Sequence, residues 1–308
     1  SMTATEFTAV ILAADRRPDD PLVTASNAAC KALVEVNGIA MLQRVVASLQ
    51  GSKCVGDIVL CGPAREQLAG NEFLEGAVRD GQISWRAPQK SPSSSAYQAM
   101  QSLPRHTPVL VTTADHPLLS AEIVDYFLGN ALQTGADVAV GVIRFSAIKE
   151  KFPRARKTVT RLRDGGYCGC NLFAFLTPKS HRVAAAWRRV EQQRKNPLRV
   201  VSQLGWWSVL RYLLGRLTLD KALAELSGRL KVDIRPVHMP FPEAAIDVDS
   251  IADQLLERPW HGLAGARSER KLAGHERVAA AQVEDLRGVG VTLNRPDQLF
   301  DVVLGQRK

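Results

Sequence analysis

The sequence predicts an α/β fold: a doubly wound, mostly parallel sheet with helices on both faces and a helical insertion in its second half. Three observations carry this expectation. Short, continuously apolar runs recur at 8–14, 57–62, 108–113 and 136–142, the pattern of strands buried on both faces of a parallel sheet. Segments with helical spacing of apolar residues separate them, as parallel crossovers require. The composition is that of an ordinary globular chain, 45% hydrophobic and 23% charged, and 308 residues suffice for one such domain with an appendage.

The first strand is TAVILAA at 8–14, which runs into a charged, proline-containing loop up to Cys30. KALVEVNG at 31–38 follows, then a helix over 41–49 with Met41, Val45, Val46 and Leu49 on one side. DIVLCG at 57–62 is the second strand, and a helix opens over 64–69. ISW at 83–85 is a short strand, and SPSSS at 91–95 is a polar loop before a helix over 96–103. PVLVTT at 108–113 is the next strand and leads straight into Ala114, Asp115, His116 and Pro117. A helix over 121–133 and the buried strand ADVAVGV at 136–142 complete the repeat. Beyond 147 the texture changes. Residues 149–163 are basic, 167–175 read as a strand, 178–230 as mostly helical, and 237–242 and 244–249 as extended. From about 260 charged and small residues alternate. One domain is therefore expected over 3–258, including the helical portion at about 149–235, with 259–308 as a helical extension or tail.

Composition excludes several classes. No run of 18 apolar residues exists and no charged-then-apolar leader opens the chain, so neither a spanning helix nor a cleaved signal is expected. The cysteines, Cys30, Cys54, Cys61, Cys168 and Cys170, are odd in number and lack a repeated CxxC. That argues against a disulfide framework or a zinc site, and for structural thiols in a reducing cytoplasm. The net charge is +9, yet residues 149–231 alone hold 19 Lys/Arg against 5 Asp/Glu, a local excess of +14. Such a field attracts phosphates, acidic lipid or nucleic acid without choosing among them. With 6% aromatic residues and no recognised module, nucleic acid is not the expected partner. Residues 206–217 place Trp206, Leu210, Leu213, Leu214 and Leu217 on one helical face, with Arg211 and Arg216 elsewhere. Packing on the sheet or on a second copy in a homodimer is the expected use, and peripheral membrane contact through 200–217 is the alternative.

In open α/β sheets ligands sit beyond the carboxyl ends of the strands. Asp115 falls at one such end, and Asp247 and Asp249 fall near another. One or two carboxylates completed by phosphate oxygens are what Mg²⁺ prefers. Arg154, Arg156, Lys157, Arg161 and Arg163 form a cationic run suited to phosphate, and GGYCGCN at 165–171 is a glycine-rich turn entering a strand. The six histidines are scattered, and His116 reads as structural.

These residues resemble a family. VILAA at 10–14 followed by KALVEVNG at 31–38 is similar to the signature of the MobA-like NTP transferases, which include sugar-phosphate, polyol-phosphate and molybdopterin nucleotidyltransferases. TTADHPLL at 112–119 resembles that family's metal-binding strand end, DVDS at 247–250 its late acidic segment, and APQKSPSSS at 87–95 its base-contacting loop. The order and spacing hold over about residues 7–255. The resemblance implies a Rossmann-like nucleotidyltransferase fold and the transfer of a nucleoside monophosphate from CTP, UTP or GTP to a small phosphorylated acceptor, such as a sugar, polyol or lipid head-group phosphate. Lys31 and Asp115 are the implied catalytic residues. Leu12, Ala13, Ala14, Arg16 and Arg17 of the first loop, with Lys31, would approach the nucleotide and its phosphates, the loop through its backbone amides. Ser94 and Ser95 would face the base, and Gly169 and Asn171 the acceptor. Mg²⁺ is the implied cofactor, held by Asp115 with Asp247 or Asp249. Such a transfer needs no side-chain nucleophile, since the acceptor phosphate attacks the α-phosphorus itself.

One departure stands out: the family's paired glycines are replaced by Ala14 and Asp15. The expectation is that Asp15 points to solvent. A metal-dependent GT-A-type glycosyltransferase, using Asp247 and Asp249 as an Asp-x-Asp pair, is the alternative enzyme. A non-catalytic nucleotide-binding protein is the alternative outside catalysis.

Overall fold

The computed structural model of the chain describes residues 6–15, 20–193 and 214–248. The apolar runs are strands, in the order β1 (Phe7–Leu12), a small hairpin of β2 (Glu35–Val36) and β3 (Ile39–Ala40), β4 (Val55–Cys61), β5 (Ser84–Arg86), β6 (Val109–Thr113) and β7 (Val138–Arg144). There follow β8 (Thr160–Leu162), β9 (Gly165–Phe175) and β10 (Ile234–His238). Eight of these build one sheet in the order β10-β7-β9-β6-β1-β4-β5, with β8 paired to β9. All its ladders are parallel except those of β9, which runs antiparallel to β6, β7 and β8.

Alternation along β1 supplies both faces of the core. Phe7, Ala9 and Ile11 point to one side and Val10 and Leu12 to the other. The first side is covered by α2 (Met41–Gly51), α3 (Glu72–Arg79), α5 (Ala121–Gln133) and α6 (Phe145–Lys151). The second is covered by α4 (Pro92–Gln101), α7 (His181–Gln193) and α8 (Leu219–Leu230). A short α1 (Pro21–Ser26) precedes α2. Strands buried on both faces between helices on both faces are the doubly wound arrangement, as expected.

Three local expectations change. The serine-rich segment is not a loop but the first turn of α4. Ser91 is the N-cap, its side chain accepting from the Ser94 amide, and Pro92 sits at the first position, where its lacking N–H costs nothing. The helix expected from 64 is a 3-10 turn (Arg65–Leu68), and α3 starts only after Asn71, whose side chain caps the Leu74 amide. The segment expected to be extended at 244–249 enters through another 3-10 turn (Pro242–Ala245). Of the expected helical stretch over 178–230, α7 and α8 are seen. The amphipathic segment at 206–213 and the extension over 259–308 lie outside the described residues.

From β1 the chain passes to β4 and β5 on one side, then returns to β6 on the other. That reversal opens a crevice at the carboxyl ends of β1 and β6. Two features hold its rim. Gly62, φ +75°, follows β4, and a Cβ there would lie 3.1 Å from both N and Cβ of Ala14. In β9, Phe173 faces Val140 and Gly169 faces Val142, so residues 170–172 bulge opposite Gly141 alone. Asn171 adopts φ 49° at that bulge, a conformation Asn tolerates better than most residues. Gly62→Ala is expected to cost about 1–2 kcal/mol from the left-handed backbone alone, before the Ala14 contact is counted, as read from urea denaturation.

Candidate active site

The strand ends fix the first loop. Leu12 is largely buried, its carbonyl accepting from the Ala114 amide at 3.1 Å, and the Ala13 amide donates to Cys61 O at 2.9 Å. The Ala13 amide is thus committed to the sheet, which corrects its place among the phosphate-facing amides. The exposed part of the loop begins at Ala14. Arg16 and Arg17 lie outside the described residues.

Lys31 opens a 3-10 turn (Lys31–Leu33) across the loop from Asp15. Its backbone amide donates to Asp15 Oδ1 at 2.9 Å, and its ammonium lies 3.9 Å from Asp20 Oδ2. Asp15 is exposed, as expected, and its carboxylate in addition reaches back across the loop to the Lys31 amide. Burial pushes the Asp15 carboxyl up, the bond from the Lys31 amide opposes that, and the Asp20 carboxylate adds to it. The neighbouring Cys30 thiol is buried and pushed up to about 11, first by desolvation and then by Asp15. It behaves as a structural thiol.

At the end of β6, Asp115 is partly exposed, and its Oδ1 accepts from Thr113 Oγ1 at 2.5 Å. Its carbonyl accepts from the Val248 amide at 3.0 Å. Val248 is fully buried in a small apolar cluster with Leu22, Val34, Val36 and Met41. The strand end at Asp115 and the late acidic segment are thereby brought together against α1 and the segment that begins at Lys31. His116 is buried at 1% exposure.

Asp247 is also 1% exposed, and its Oδ2 is bound by Lys157 Nζ at 2.9 Å, with the lysine side chain 3% exposed. A buried carboxylate needs a compensating cation, and here an ammonium supplies it. Lys157 is thus turned inward, whereas Arg154, Arg156, Arg161 and Arg163 of the same basic run are exposed. Asp249 lies outside the described residues. Among the described residues no group of three or more His, Cys, Asp or Glu is gathered to hold a metal.

In the serine segment, Ser94 is half-buried and its hydroxyl accepts from Ser91 Oγ at 3.0 Å. Ser95 is buried, its Oγ accepting from the Gln89 amide at 2.9 Å, so its hydroxyl braces the segment from within. Sequence reading missed Ser93 and Glu191. The fully buried Ser93 donates from both its amide and its hydroxyl to Glu191 Oε2 on α7. Beside them Arg188 stacks over the Tyr97 ring at 4.0 Å. Only the packing of α7 on α4 pairs these residues, and no local motif signals it. Gly169 and Asn171 flank and occupy the β9 bulge, past the last residue of β9 that pairs with β6.

A family model for the MobA-like NTP transferase domain matches residues 9–232. The chain belongs to the MobA-like NTP transferase family. It is thus a nucleotidyltransferase by type, with a mixed, mostly parallel sheet of the Rossmann-like kind. A structure described as a hypothetical transferase from Thermus thermophilus superposes with a TM-score of 0.66 at 28% identity, over 80% of this chain and 99% of that one. A 4-diphosphocytidyl-2C-methyl-D-erythritol synthase from Anaerococcus prevotii DSM 20548 superposes at TM-score 0.49 and 16% identity, over 82% and 94% of the two chains. A CMP:2-keto-3-deoxy-manno-octonic acid synthetase with CTP gives 0.48 and 13%, over 92% and 100%. Likenesses as loose as these last two bear on neither substrate nor mechanism. No curated protein matches the chain. No helix among the described residues is long and apolar enough to cross a membrane.

Removing one partner of the buried pair strands a charge. Lys157→Met is expected to lower stability by about 3–5 kcal/mol in chemical denaturation, and the double variant Lys157→Met, Asp247→Leu to recover most of that loss.

Proposed function

We propose that this family member transfers a nucleoside monophosphate from an NTP, with CTP, UTP and GTP as candidate donors, to a small phosphorylated acceptor. The observation that carries the reading is the junction of Asp115 with the late acidic segment, packed on Val34 and Val36 of the segment that begins at Lys31, at the crevice where β1 and β6 end. That is where an open α/β sheet takes its ligand.

The roles in this reading are those that the family resemblance implies. Lys31 contacts the NTP phosphates, and the exposed loop from Ala14 onward borders them. Ser94 faces the base in this reading, with Ser95 and Glu191 holding its segment. Gly169 and Asn171 border the acceptor, and the exposed arginines of 154–163 draw in its phosphate. An acceptor phosphate oxygen forms a new bond to the α-phosphorus. The bond from that phosphorus to the bridging oxygen breaks, and pyrophosphate leaves with the electron pair. No protein group has to remove a proton, so the chain's contribution is positioning and neutralisation of charge.

Mg²⁺ fits Asp115, a partly exposed strand-end carboxylate, and a site built from one or two carboxylates plus phosphate oxygens needs no larger cluster. Asp247 fits poorly, because Lys157 already satisfies it. This leaves Asp249 as the second candidate ligand. When bound, Mg²⁺ would neutralise charge on the phosphate oxygens. The same ion pair weighs against a glycosyltransferase Asp-x-Asp site built on Asp247.

Pyrophosphate release from an NTP panel with phosphorylated acceptors tests the proposal. Asp115→Asn is expected to lower turnover by at least about a hundredfold with the fold intact, whereas Lys31→Ala chiefly raises KM for NTP. Full activity in the Asp115 variant would remove the metal assignment, and release of a nucleoside diphosphate from a nucleotide sugar would favour the glycosyltransferase.

A further inference from the structure

Asp15 stands where the family carries glycine, and its carboxylate sits on Lys31. We infer that Asp15 is an affinity-determining residue: it occupies the anion position at Lys31 that the NTP phosphates must take, so nucleotide enters by displacing it. This rests on the nucleotidyl-transfer reading, through the role given to Lys31.

Two contacts support the inference. A carboxylate oxygen receives the Lys31 backbone N–H at 2.9 Å, and a second carboxylate, that of Asp20, faces the ammonium at 3.9 Å. An N–H and an ammonium offered together are what a phosphate group binds, and here two carboxylates of the chain itself receive them. The two acids are held differently. Asp20 is anchored, because its Oδ1 also caps α1 by accepting from the Leu22 amide at 2.9 Å. Asp15 lies on the exposed loop past β1, and among the described residues its carboxylate is held by the Lys31 amide. It can swing away without breaking a helix or a ladder. A triphosphate arriving at Lys31 with Asp15 in place would meet a like charge at contact distance, so the two exclude each other.

Two substitutions separate charge from structure. Asp15→Asn keeps an oxygen that can accept from the Lys31 amide and removes only the charge. Asp15→Gly removes the side chain altogether and restores the family residue. The full-length chain and both variants are titrated with inorganic tripolyphosphate by calorimetry, and KM for NTP is measured alongside. Asp15→Asn is expected to bind tripolyphosphate roughly tenfold more tightly, with the gain shrinking as salt is raised. Should Asp15→Gly fold poorly, the Asn variant carries the test alone. A wild-type chain that binds tripolyphosphate, together with an Asn variant that binds no better, would overturn the inference and leave nucleotidyl transfer standing. A wild-type chain that neither binds tripolyphosphate nor turns over any NTP would remove both.

Discussion

The site depends on one tertiary join. The Val248 amide donates to the carbonyl of Asp115, and the Val248 side chain is buried among Leu22, Val34, Val36 and Met41. A buried backbone N–H has to find an acceptor, and a buried valine has to find apolar neighbours. Satisfying both at once ties the end of β6, the segment beginning at Lys31 and the late acidic stretch into one unit.

Around the knot, the acidic side chains divide by what balances them. Asp115 remains partly exposed and is braced by the Thr113 hydroxyl, so it can serve a ligand. Asp247 is sunk in the interior and answered by Lys157. Glu191 is buried against the amide and hydroxyl of Ser93, where it also complements the positive end of α4. Desolvation explains the division. A carboxylate that loses water must gain a cation or several donors, and once it has them it is poorly placed to bind anything else.

The antiparallel strand β9 shapes the rim beyond β6. It lies between β6 and β7 and extends beyond its ladder with β6, and its bulge opposite Gly141 places Asn171 past the end of that ladder. Gly141 permits this because a Cβ there would approach the Leu172 Cβ to 3.2 Å. On the opposite side of β1, Gly62 allows the chain leaving β4 to approach the Ala14 backbone. Each glycine lets backbone come close where a side chain would push the rim apart.

The sequence by itself determined the long strands of the sheet, most of the helices and the family, because continuous apolar runs and helical periodicity are local consequences of which faces must be buried; the short β2, β3 and β8 carry too few apolar residues to announce themselves. It also singled out the segments at Asp115 and Asp247, which the Val248 amide joins through the Asp115 carbonyl. It read poorly where the outcome rests on capping, as at Ser91-Pro92, where a polar run became the first turn of α4. Only the tertiary structure decided which carboxylates face inward. Nothing in the neighbourhood of Lys157 announces Asp247 as its partner, nor does the first loop announce that Asp15 will accept from the Lys31 amide. Charge pairing across the fold is set by burial and proximity, and neither exists until the sheet has brought distant segments together.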